Sequence, residues 1–402
     1  MRRLLTFVLL AAAAASFAGT RVVSGPPVLS PESLATIEEA AEAGLFGSVD
    51  RTPLTDVRSV EGEALLSEPP THVAESREFW IRITAEDLRK GVEFATTAPE
   101  AVVRLSPVEA SAPWVSVDRL VVGVPSGQSL TADEAFARSA TPEQLRQAGA
   151  AFPEGTCAFR LAPEAGWGRF RLSVPGLDAP EGSTYLLHVL DARSDLVVSL
   201  QAGSDTVFRG GVVSARAWLA EAGSFVMGIS GDAEISSPDG RRWSAEVRSL
   251  EDGSVRVDHP LRVSPAERPG LWEVHLRVTA DRGGEMIQRD VHTAFAYVVP
   301  TARLTGDVRI AGRKGSLALR APLETAAPGR YALQCLVWGT DGTGERRPMA
   351  RVETAVWLEA GHGALRAEIP AGLIREGGFH PPYEVRDIRL LDQSRLFLLH
   401  RN

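Results

Sequence analysis

The side chains in this sequence that could do chemistry are few and scattered. Asp341-Gly342-Thr343-Gly344-Glu345 is an acidic, glycine-rich loop. Asp341 and Glu345 could hold a calcium ion there through carboxylate and carbonyl oxygens. The loop has too few oxygens for an EF-hand, and turn formation alone accounts for Asp-Gly and Thr-Gly. Gly377-Gly378-Phe379-His380-Pro381-Pro382-Tyr383 sets Phe379, His380 and Tyr383 in a stiff stretch. Such a loop suits recognition of a partner, and equally a structured connection into the next strand.

Familiar catalytic motifs are missing. There is no His-Glu-x-x-His, no Gly-x-Ser-x-Gly and no Cys-x-x-Cys. Gly312-Arg313-Lys314-Gly315-Ser316 is too short between its glycines to cradle a phosphate. None of the 8 histidines pairs with another at a metal-ligand spacing. His188, His275 and His292 fall in alternating runs and read as residues on partly exposed strand faces. No catalytic or cofactor-binding residue is assigned, and calcium is the one ion considered. Acidic residues are abundant, but nothing marks any two as a glycosidase pair.

The 2 cysteines, Cys157 and Cys335, are far apart, each in an apolar strand-like run. They read as buried free thiols; the sharper alternative is one bridge pinning two domains.

The elements that must position these residues start with an address. Residues 1–18 have a basic start, an apolar run of Leu and Ala, and small residues before a cut, the layout of a signal peptide. The run is too short for a permanent span, and nothing later comes close. The expected product is an exported protein, periplasmic or secreted, with no membrane span in its mature form. Its net charge of −8, without a basic stretch, argues against nucleic acid as a partner.

Residues 19–72 are expected to form an N-terminal extension. A helix at about 31–43 opens on Ser30-Pro31-Glu32 and stops at Gly44. Residues 47–72 look irregular. Strand grammar follows: a β-sandwich at 73–202 with a short helical insertion at 131–148, an Ig-like β-sandwich at 203–299, and a C-terminal β-sandwich at 300–402. The fold class is mainly β, three sandwiches in series after a short helical segment. A Gly-x-aromatic phrase recurs at Gly168-Arg169-Phe170, Gly270-Leu271-Trp272 and Gly329-Arg330-Tyr331. Each copy predicts a strand start, with glycine permitting the entry turn and the ring anchored in a core. Of the 8 tryptophans, Trp80, Trp218, Trp243, Trp272, Trp338 and Trp357 lie in strand runs and are expected to be mostly core.

The chain resembles a family of exported bacterial proteins with consecutive Ig-like β-domains, a domain of unknown function. The resemblance rests on Phe79-Trp80, on Thr96-Thr97-Ala98-Pro99-Glu100-Ala101 and on Arg104-Leu105-Ser106-Pro107. Near the end it rests on Pro382-Tyr383-Glu384-Val385-Arg386-Asp387-Ile388-Arg389-Leu390 and Asp392-Gln393-Ser394-Arg395. It spans residues 75–402 and leaves out 19–72. It implies a three-part β architecture and brings no activity or catalytic residues.

These readings converge on a non-enzymatic, multi-domain binding or scaffold protein of the cell envelope, engaging a protein or an envelope glycan. The alternative is a hydrolase accessory or carbohydrate-binding protein acting on envelope polymers. A third reading is metal-dependent adhesion through Asp341 and Glu345.

Overall fold

The computed structural model describes residues 33–35, 50–60, 71–264, 266, 268 and 270–401. The leader at 1–18 lies outside them, as does the helix expected at 31–43 apart from residues 33–35. The protein is mainly β, with several open sheets and short helices, consistent with β-sandwich domains in series. Its described residues divide into two compact units. One falls within Pro69–Tyr297, and the other combines stretches of Met1–Glu68 and Val298–Asn402.

The Pro69–Tyr297 unit contains two hydrophobic cores. Around the first, one sheet runs Glu78–Thr84, Thr184–Leu190, Val102–Pro107, Cys157–Leu161 and Phe136–Ala140. The other runs Val92–Thr96, Gly168–Ser173, Val121–Gly123 and Ser129–Thr131. Phe79, Phe94, Phe159, Phe170 and Tyr185 fill the space between them. The residues alternate inward and outward, as a strand with one buried face requires. Thr84 caps the short helix Ala85–Lys90 through a reciprocal bond set with Asp87. The stretch at 131–148 holds two helices, Ala132–Ala135 and Pro142–Gln147, each opened by a capping box. The strand Phe136–Ala140 lies between these two expected helix starts.

The second core gathers Val213, Ala217, Ile235, Val257, Trp272 and Val274. Leu196, Val198 and Leu200 join it from the strand Leu196–Ala202, which pairs with Val212–Glu221. The strand Val73–Ser76 then adds to Leu196–Ala202. The sheet path continues through Val255–Pro260, Arg242–Ser249, Ser230–Ser236, Trp272–Arg282 and Glu285–Val298.

Those two sheet systems meet at one register pair, Asp290 opposite Glu78. Buried polar groups reinforce the joint. Asp290 Oδ2 accepts the Trp80 backbone N–H at 2.6 Å, and its Oδ1 faces Arg277 Nε at 3.2 Å. On the neighbouring residue, Arg289 donates to Asp191 and Thr97, both at 2.8 Å, and to the Leu196 carbonyl. The Thr97 N–H and hydroxyl both donate to the same Asp191 oxygen.

In the second unit, one sheet runs Leu54–Ser59, Arg346–Leu358, Gly329–Thr340, His380–Asp392 and Phe397–Arg401. The other pairs Ser316–Thr325 with Ala302–Leu304, Arg309–Arg313 and Gly361–Ile369. Residues 54–59 are therefore a strand, within a stretch the sequence suggested was irregular. Its LTDVRS sequence carries little apolar signal; distant partners hold it. Arg330 donates to the carbonyls of Asp50 and Thr52 at 2.7 and 2.6 Å, Thr354 donates to the Leu54 carbonyl, and Arg51 lies over Trp357.

The Gly-x-aromatic phrase behaves as expected. Phe170, Trp272 and Tyr331 are all buried, each at the start of a strand. Gly270 has φ +153°, and a Cβ there would lie 3.0 Å from Pro238. Cys157 and Cys335 are buried free thiols, as the sequence suggested, and burial pushes each up to about 12. Among the six strand tryptophans only Trp272 is fully buried. Trp243 is half-buried but packs against the same core, stacked on Trp272 with ring centroids 5.2 Å apart, and Trp80, Trp218, Trp338 and Trp357 are half-buried.

Candidate binding site

Asp341 sits at the tip of the hairpin joining Gly329–Thr340 to Arg346–Leu358. Its Oδ1 accepts the Thr343 N–H at 2.9 Å, the Thr343 hydroxyl at 2.6 Å and the Glu345 N–H at 3.0 Å. Oδ2 faces Arg347 at 3.4 Å. These bonds, the Thr343 hydroxyl foremost, hold the Asp341 carboxyl down at about 2. Asp341 thus knits the turn, and Glu345 enters that set through its backbone N–H. Among the described residues, no three His, Cys, Asp or Glu side chains form a ready metal-ligand group.

Phe379 and Tyr383 pack against the strand Gly329–Thr340. A Cβ on Gly339 would lie 3.2 Å from the Phe379 ring and 3.4 Å from that of Tyr383. The Tyr383 hydroxyl donates to the Phe379 carbonyl at 3.3 Å, while His380 is exposed opposite Thr340. The structure brings the two aromatics together and leaves His380 open to solvent.

His188 is the buried histidine beside an acid and a base. Arg104 Nε donates to its Nδ1 at 2.9 Å, so Nδ1 must present its lone pair. The ring proton is therefore on Nε2 and is donated to Glu78 at 2.8 Å. Both ring nitrogens are in use, so this ring has no nitrogen left to take a proton from a substrate. The bond from His188 also holds the Glu78 carboxyl below its usual range.

An open cavity of about 450 Å³ lies beside the second core of the Pro69–Tyr297 unit. Thr71, Gln201, Gly203, Ser214, Arg216 and Arg256 line it. Its positive wall follows from register. Gln201 is opposite Arg216, Arg216 is opposite Arg256, and Arg256 is opposite Arg248. Three guanidinium side chains thus stand on adjacent strands with Cβ atoms roughly 5 Å apart. Like charges in such a row repel, and each arginine has a local acid. Arg216 pairs with Asp252, Arg256 with Asp258 at 2.8 Å, and Arg248 with both Glu246 oxygens at 2.6 and 2.7 Å. All three arginines are more than half exposed, where such pairs are screened by solvent and contribute little. An incoming carboxylate or phosphate can therefore replace these acids at little cost. The sequence offered no signal for this row, because strand register alone brings the arginines together.

The chain matches the model of the Domain of unknown function (DUF4785) N-terminal domain over residues 46–191 and that of the DUF4785 C-terminal domain over residues 301–402. It belongs to the DUF4785 family. The N-terminal match begins ahead of residue 75, where the sequence resemblance starts, and takes in the strand Leu54–Ser59. The crystal structure of a DUF4785 family protein from Legionella pneumophila shares the fold. Its TM-score is 0.63, with 24% identity, over 88% of this chain and 92% of that one. The native conformation of Escherichia coli alpha-2-macroglobulin matches with a TM-score of 0.21 and 11% identity, over 81% of this chain and 22% of that one. A tetra-tandem repeat from the extending region of a large adhesion protein gives 0.20 and 12%, over 72% of each chain. A comparison with curated proteins gives no match.

In this DUF4785 chain, the residues that carry the sequence resemblance build the scaffold. Thr97 belongs to the Arg289–Asp191 joint, and Trp80 hands its N–H to Asp290. Asp392 accepts from the Thr301 hydroxyl at 2.6 Å, the Ser394 N–H at 2.9 Å and Arg395 at 2.9 Å, tying the final turn to the C-terminal sheet.

Proposed function

We propose that this chain is an exported, non-enzymatic binding or scaffold protein of the cell envelope, and that its site is the arginine-walled cavity beside Gln201. The row Arg216–Arg256–Arg248, whose first two members line that cavity, carries the reading. Guanidinium groups on neighbouring strands suit an extended ligand with repeated carboxylates or phosphates, because each makes planar two-point bonds with an oxyanion. The occupied ring nitrogens of His188 and the two buried thiols also favour binding over catalysis. A photo-crosslinking residue at Gln201, in chain recovered from the native envelope, tests this. A discrete partner is expected, lost in Arg216→Glu/Arg256→Glu. Capture that is unchanged by the charge reversals, or no capture from Gln201, would reject the site. Fractionation of the native cell together with the N-terminal mass of the mature chain tests export.

A second reading is glycan binding, favoured by one observation. Trp114 and Trp167, outside the strands, are 51% and 59% exposed in the first β-domain. Exposed indoles offer stacking faces to sugar rings. Retention on envelope polysaccharide that is lost in Trp114→Ala or Trp167→Ala, yet kept in the arginine variant, would select this reading.

A further inference from the structure

His275 and His292, unremarkable in sequence, stand directly opposite each other on the strands Trp272–Arg282 and Glu285–Val298. Their ring centroids are 5.5 Å apart. Glu273 is two residues along from His275, hence on the same sheet face. Its Oε2 lies 3.0 Å from His275 Nε2. Glu234 faces His275 from the other side, and Ser236 Oγ is 3.0 Å from Nε2. His292 is exposed and His275 half-buried, so the pair opens to solvent.

We infer that this pair is a binding site for a divalent transition metal of the zinc class, with His275 and His292 as nitrogen ligands and Glu273 as the oxygen ligand. Zinc–imidazole bonds are about 2.0–2.1 Å long, which puts two ring centres on one tetrahedral ion roughly 5 Å apart. The observed spacing is already close to that. The rings are 27° from parallel, and as they stand the three side chains are not gathered about one ion. The site therefore needs a turn of the exposed His292 ring about its last side-chain torsion, which is soft. The backbone need not move, because register fixes both Cα positions. Glu273 already reaches one of the two nitrogens, and water completes the four-coordinate set. Two imidazoles and one carboxylate suit zinc or copper and disfavour calcium and magnesium, which take oxygen ligands. Asp341 and Glu345, the residues with a sequence-level calcium signal, belong to the other compact unit.

The test uses the full chain, metal-free, titrated with zinc chloride by calorimetry and followed by ring-nitrogen NMR. One ion per chain is expected, with the His275 and His292 signals shifting first and calcium producing no shift. His292→Gln, at an exposed position, should weaken binding at least tenfold, and Glu273→Gln should weaken it less. His362→Gln, in the other compact unit, should leave it unchanged. Failure to saturate, saturation with the His275 and His292 signals unmoved, or full affinity in His292→Gln would overturn the inference. Because the NMR readout uses the unmodified chain, a variant that fails to fold does not rescue the inference.

Discussion

Arg289 and Asp191 form an ion pair at 2.8 Å in which neither side chain has any solvent exposure. Burial pushes the Arg289 guanidinium down from its ordinary value, and Asp191 opposes that shift. The pair stands where the chain passes from one hydrophobic core to the next, since Arg289 also donates to the Leu196 carbonyl. Two β-domains that share a buried charge pair are tied more firmly than two domains strung on a linker.

Breaking that pair one-sidedly should be costly. Asp191→Ala leaves the guanidinium buried and unpaired, and the expected loss is about 3–5 kcal/mol. Urea unfolding measures it. Asp191→Leu/Arg289→Met, which removes both charges, should recover much of the loss. Equal losses in the single and double variants would show that the charge is not what matters.

Arg330 should control the strand Leu54–Ser59. Arg330→Met removes two bonds to the carbonyls of Asp50 and Thr52, at about 1.5–3 kcal/mol for hydrogen bonds from a charged donor. Amide exchange within 54–59 should accelerate, while exchange in Gly361–Ile369 stays slow. Uniform acceleration across both would mean that the guanidinium supports the whole unit instead.

Acid should weaken the protein partly through Glu78. The His188 bond depresses this carboxyl below its ordinary 4.5. A depressed carboxyl contributes stability that is fully present above 4.5 and lost as pH falls through the lower, folded-state value. Asp290 acts in the opposite sense, because burial raises its carboxyl above 3.8. Its ionised form costs stability, and protonation on acidification relieves that cost. Glu78→Gln should therefore lie about 1 kcal/mol below the parent at pH 6 and converge with it near pH 3, as expected for a partly exposed charge-assisted bond. A gap that stays constant with pH would remove the ionic contribution.

Both thiols should be silent in the folded chain. With Cys157 and Cys335 pushed to about 12 and buried, almost no thiolate exists near neutral pH. Ellman's reagent should label neither thiol in buffer and both in guanidinium. Rapid labelling of the native chain would contradict their burial.

What could be read in the sequence was local. Glycine before an aromatic marked three strand entries because φ at Gly168 and Gly270, and the depth of each ring, are properties of neighbouring residues. The capping box of Thr131 with Glu134 and the helix start at Thr141-Pro142-Glu143 were visible for the same reason. The tryptophans misled because a strand has two faces. Trp80 adjoins the buried Phe79, and Trp218 lies between the buried Ala217 and Leu219, so both indoles point outward. The arginine row, the histidine pair and the strand Leu54–Ser59 stayed hidden because each arises from strand register, which in the last case joins segments far apart in the chain. Their residue types in order along the chain carry no sign of it.

Thr55 and Thr354, whose hydroxyls meet at 3.2 Å, are 299 residues apart. A ribosome delivers this chain from its N-terminus, so Leu54–Ser59 emerges long before the strand Arg346–Leu358 it pairs with. Throughout that interval its edge goes unmatched, and the unit it belongs to can be closed only after the strand Arg346–Leu358 has been made.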